Sequence, residues 1–80
     1  MPHAAAEYRA RTARRIGTAI RRAREAANIS AAELARAIDV EPETVLLWER
    51  GARCAPLHQV WRVALALGVA AASITDSLDD

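Results

Sequence analysis

Phenylalanine and lysine are absent from these 80 residues, and cysteine and tyrosine each occur once. A single cysteine, Cys54, cannot close an internal disulfide, so nothing marks the chain as a cross-linked secreted scaffold. No apolar run approaches the ~20 residues that span a bilayer, and the N-terminus has no signal-peptide pattern. Aromatic residues make up only 4% and β-branched ones are sparse, which argues against a sheet. Only three glycines and three prolines interrupt the chain. The 52% of hydrophobic residues is instead rich in alanine and leucine, which with arginine and glutamate favour helix. The length suits a single domain of modest core, with no room beside it for a ligand-sensing module.

The net charge of +1 conceals an asymmetry. Residues 1–28 hold seven Arg against two Glu, whereas residues 29–80 hold four Arg against eight acids. Arginine grips phosphate in a planar fork, so an Arg block points to nucleic acid. The plainer reading of the same run is a solvated helix face. Residues 4–15 have high helix propensity but a weak apolar stripe, and read as a helical arm or an extension of helix 1. Helix 1 firms up where Ile16, Ala19, Ile20, Ala23 and Ala27 recur at helical spacing. Asn28, which tolerates a left-handed conformation, ends it.

Ser30 and Glu33 form a capping box that opens helix 2, with Leu34, Ala35 and Ile38 facing inward. Asp39-Val40-Glu41 is a short turn. Pro42 suits the first position of helix 3, which buries Val45 and Trp48 and stops at Gly51. Helix 4 runs from about Leu57 to Leu67, with Leu57, Val60, Ala64 and Leu67 on its apolar face, and ends at Gly68. A short helix 5 from Ala71 to Leu78 is expected to be anchored by Val69, Ile74 and Leu78, before a loose Asp79-Asp80 tail.

A capped helix of about eight residues, a turn of about three and a second helix of about nine is helix-turn-helix spacing. A helix of that length fits a major groove roughly 12 Å wide, with the preceding helix offering its N-terminal amides to the backbone. The segments IGTAIRRAREAANIS, AAELARAIDV, TVLLWERG and the later P-L-x-x-V-W-R-V-A-L-A-L-G-V resemble the Cro/repressor-type (XRE) helix-turn-helix domain over residues 16–78. The resemblance implies an all-α, compact five-helix, lambda-repressor-like domain that binds operator double-stranded DNA as a dimer. It also implies an ion pair between Arg24 late in helix 1 and Glu49 at the end of the recognition helix. An acid at a helix C-terminus opposes the dipole and independently calls for a cation. Two separate surface charges are the alternative.

By the same resemblance the DNA-facing positions are Ala31, Glu41, Pro42, Glu43, Thr44, Leu47, Arg50 and Arg53, joined by Arg15 and Arg22 from the basic N-terminal run. Several depart from the family pattern. Ala31 stands where a polar, phosphate-touching residue is usual, and Asp39 replaces a turn glycine. Glu41, Pro42 and Glu43 replace the usual polar base readers, while Leu46 and Leu47 are apolar at outward positions. Carboxylates repel phosphate, although Glu can accept from cytosine N4 and Leu can touch a thymine methyl. Affinity is therefore expected to rest on arginine–phosphate contacts, from Arg50, Arg53 and the run 9–22, with weak discrimination by helix 3.

Trp61 and Leu65, four apart on helix 4, share a face. They read either as a dimer or partner surface, since Trp is enriched at binding hot spots, or as a cap on the core. His3, His58 and Cys54 read as isolated surface residues, with no metal-ligand cluster. No nucleophile–base pair, paired carboxylates or phosphate loop appears. The expectation is a cytoplasmic, nucleoid-associated repressor or controller, not an enzyme, with no cofactor, membrane partner or small-molecule substrate. A protein-interaction module on the same fold, with reduced or lost DNA binding, is the rival reading.

Overall fold

The computed structural model describes residues 2–76, with side chains from residue 6 onward. Within them are five helices and no strand: α1 (Pro2–Ala26), α2 (Ala31–Ala37), α3 (Pro42–Glu49), α4 (Leu57–Leu67) and α5 (Ala72–Thr75). At 1.5 Å per residue α1 is about 37 Å long, close to the longest extent of the 39 × 23 × 19 Å molecule. α1 is one continuous helix from Pro2. Its side chains from residue 6 to Arg9 are all exposed, and burial begins at Ala13.

Four helices end by one device. Asn28 and Asp39 have φ values of 59° and 58°, and Gly51 and Gly68 of 73° and 70°. At each left-handed residue the next N–H reaches five residues back, as in Val40 N to Ala35 O at 2.9 Å and Ala52 N to Leu47 O at 3.0 Å. These are Schellman closures, which satisfy carbonyls that a helix end would otherwise leave unbonded. Asp39 shows why the turn between α2 and α3 needs no glycine: its short polar side chain tolerates the αL region. Val40, just past it, folds back against the core.

The core is continuous through Ile16, Ile20, Leu34, Ala35, Ile38, Val45, Trp48, Ala55, Val60, Val63, Ala64 and Ile74. α3 lies between α1 and α2 and makes its most extensive contacts with them. Gly17 permits the close approach of α1 to α3, because a Cβ there would stand 2.0 Å from the Trp48 carbonyl oxygen. No buried side-chain N or O among the described residues lacks a hydrogen-bond partner.

The apolar positions need correction in three places. Leu57 is exposed and Val63 is buried in its stead. Leu57 opens α4 four residues before Trp61 and shares its exposed face. Val69 is also exposed, because the chain turns off α4 at the left-handed Gly68 immediately before it. Ala27 is exposed beyond the end of α1, and Ala13 joins the buried face instead. Helix 5 covers Ala72–Thr75, anchored by Ile74; Leu78 and the acidic tail lie outside the described residues.

Candidate nucleic-acid interface

α2 is held at its N-terminus by a reciprocal capping box. Glu33 N–H donates to Ser30 Oγ at 3.0 Å, and Ser30 N–H donates to Glu33 Oε1 at 2.9 Å. The bond from the Ser30 N–H to the carboxylate is the largest cause holding Glu33 below its usual pKa, and the Ser30 side chain adds to it. Ala31, the first residue of α2, is half-buried and packs against the core.

α3 begins differently. Glu41 is its N-cap but makes no side-chain capping bond, and Pro42 occupies the first turn. Glu41, Pro42 and Glu43 are exposed, while Thr44 and Leu47 are half-buried. Val45 and Trp48 turn inward, which leaves Glu43, Leu46 and Arg50 along the outer face. Glu43 and Arg50 come together there, with Arg50 Nη2 donating to Glu43 Oε1 at 3.4 Å. Their spacing of seven residues, two helical turns, was a signal available in the sequence. Arg53 is exposed in the turn after α3, and Arg15 and Arg22 are exposed on α1.

The pose of α3 is braced from behind. Arg24 Nε donates to Glu49 Oε2 at 2.6 Å and Arg24 Nη2 to Glu49 Oε1 at 2.9 Å, a bidentate fork. Arg24 Nη1 also donates to the Ile29 carbonyl at 2.9 Å, so one guanidinium ties α1, α3 and the approach to α2. The side chains are 14% and 5% exposed. The hydrogen bond to Glu49 raises the Arg24 pKa above its ordinary value, against an opposing effect of burial. Glu49, at the last residue of α3, thereby acquires the cation that an acid at a helix C-terminus requires.

α4 carries Leu57, Trp61 and Leu65 in one stripe, at 65%, 63% and 83% exposure. Trp61 does not cap the core within one chain. Cys54 is free and exposed. Among the described residues no group of three or more His, Cys, Asp or Glu could hold a metal ion, and no helix is long and apolar enough to cross a membrane.

A capped α2, a tight left-handed turn and an α3 held with one face outward define a helix-turn-helix, the fold of DNA-binding transcription regulators. A family model described as helix-turn-helix matches residues 20–74. The chain belongs to this family, of the XRE type. It is similar to the crystal structure of the clp gene regulator ClgR from C. glutamicum, with 26% identity and a TM-score of 0.80, over 85% of this chain and 88% of that one. No curated protein matches the sequence.

Proposed function

We propose that this protein is a small DNA-binding transcriptional regulator of the repressor or controller type, docking α3 in the major groove with arginines on the phosphates. The observation that carries this reading is the outward face of α3, set beyond a capped α2 and locked from behind by Arg24 and Glu49. Eight residues of α3 span about 12 Å, matching the groove width of roughly 12 Å. The resemblance to a regulator over most of both chains supports it. Glu41 and Glu43 offset the pull of the α3 N-terminus on phosphate, so Arg53, Arg15 and Arg22 carry the electrostatic attraction.

The active species is a homodimer joined through α4. Two-fold related domains are how helix-turn-helix proteins read paired half-sites. Leu57, Trp61 and Leu65 together expose several hundred Å², on the scale of the largest apolar patch of a typical monomer. α4 makes its main contacts with α1 and α2, so a second copy seated on this stripe leaves both recognition helices open.

The test is binding to random duplex DNA across a salt series. Each phosphate neutralised contributes a slope of about −0.9 in log affinity against log salt, and Arg53→Ala shallows that slope while weakening all sequences alike. The exposed Glu41, Glu43 and Leu46 favour a second reading, a protein-interaction module on the same fold. Absence of DNA binding even at low salt selects it over the first.

A further inference from the structure

Glu43 and Arg50 meet on the outer face of α3, across Leu46, and both side chains are about two-thirds exposed (67% and 64%). An exposed pair of this kind stabilises the fold by little, so its placement does little for the domain itself. It does set a hydrogen-bond acceptor and a forked donor side by side at the middle of the face that enters the groove. Only one Glu43 oxygen and one Arg50 nitrogen are engaged in the pair. The second carboxylate oxygen and the remaining guanidinium N–H groups point to no other described residue.

We propose that Glu43 and Arg50 act as one unit that reads a single C·G base pair, an inference that rests on the DNA-binding reading. In the major groove a C·G pair presents the cytosine N4 amino donor beside the guanine O6 and N7 acceptors. Glu43 accepts from the cytosine amino group, and Arg50 donates in a fork to guanine O6 and N7. An A·T pair does not fit, because its adenine amino donor separates the two acceptors, thymine O4 and adenine N7, and denies the fork two adjacent partners. The pair is close to neutral overall, so it adds little attraction for phosphate. Arg50 is thereby assigned to specificity, whereas Arg53 on the turn is left to the backbone. The mutual contact also orients both groups before binding, which lowers the ordering cost of the base contact.

The experiment selects bound duplexes from a random pool with the parent protein, Glu43→Gln and Arg50→Gln, after circular-dichroism melts confirm that both variants fold like the parent. The parent is expected to enrich a site in which one position is C·G by about ten- to a hundredfold, the scale of a good bidentate contact. Both variants then lose the preference at that one position and keep the remainder of the site, and Glu43→Gln binds random DNA more tightly. If the parent yields a site and every positional preference survives in both variants, the pair is not a reader, and DNA binding itself stands. If Arg50→Gln weakens all sequences equally, Arg50 is a phosphate contact and the inference fails. If the parent binds no duplex at low salt, the DNA-binding reading fails and takes the inference with it.

Discussion

Replacing Glu49 by alanine removes both oxygens that the Arg24 fork engages, and the consequence follows from what Arg24 retains. The guanidinium keeps its bond to the Ile29 carbonyl but loses its counter-charge in a site where its side chain is only 14% exposed. Breaking a buried pair by removing one partner costs about 3–5 kcal/mol, against about 0–1 for an exposed pair. Two effects reduce the figure. Arg24 keeps a little solvent access, and loss of an acid from the α3 C-terminus returns about 0.3–1 kcal/mol of dipole energy. The expected cost is therefore about 2–3 kcal/mol. A domain of this size is worth about 4–12 kcal/mol in all. At about 4–8 °C per kcal/mol the melting temperature falls by roughly 10–20 °C. Urea denaturation and thermal melts of the parent, Glu49→Ala, Arg24→Met and the double variant give the coupling between the two sites. The exposed Arg21–Glu25 pair, at 3.6 Å on α1, is the internal control and is expected to change stability by about 0.5 kcal/mol or less. A Glu49→Ala protein as stable as the parent, or a coupling near zero, would refute the claim that this fork sets the pose of α3.

Gly17→Ala is expected to destabilise by about 2 kcal/mol or more, despite the gain of about 1 kcal/mol in helix propensity, because the new Cβ meets the Trp48 carbonyl; a urea melt decides, and a stabilised variant contradicts the packing. Ser30→Ala should lose the α2 cap at about 1 kcal/mol. The pH dependence has a definite sign: the folded-state pKa of Glu33 lies below its unfolded value, so its contribution is present above the unfolded pKa and is lost as pH falls through the folded one. Acid titration of stability in the parent and in Glu33→Gln should therefore converge below the carboxylate range. Trp61→Ala should convert a sedimenting dimer to monomer, and a parent that stays monomeric at high concentration removes the α4 interface.

Local grammar was legible in the sequence wherever short-range chemistry decides the backbone. The capping box at Ser30 and Glu33, the proline opening α3, and Asn28, Asp39, Gly51 and Gly68 as stops all act within a few residues. The period of Leu34, Ala35, Ile38, Val45 and Trp48 likewise identified the inward faces of α2 and α3. A helix in the middle of an alanine-rich segment, by contrast, announces little about what covers it. Alanine costs no side-chain entropy and fits a buried or an exposed site equally, so residue type alone did not distinguish the buried Ala13 from the exposed Ala27. α4 displays an apolar arc wider than its neighbours cover. Sequence marked the arc, but only the positions of α1 and α2 decided that Val60, Val63 and Ala64 fill the core while Leu57, Trp61 and Leu65 face outward. Gly17 carried a hint as a costly residue inside a helix, yet its reason, a carbonyl 2.0 Å from the would-be Cβ, belongs to a partner more than thirty residues along the chain. The Glu43–Arg50 contact has the same character. Spacing puts the two on one side of α3, and the packing of Val45 and Trp48 determines that this side is the outer one. Propensity and capping are short-range and written locally; burial and charge partnership are set by tertiary geometry, because they depend on which surfaces the folded helices take from water.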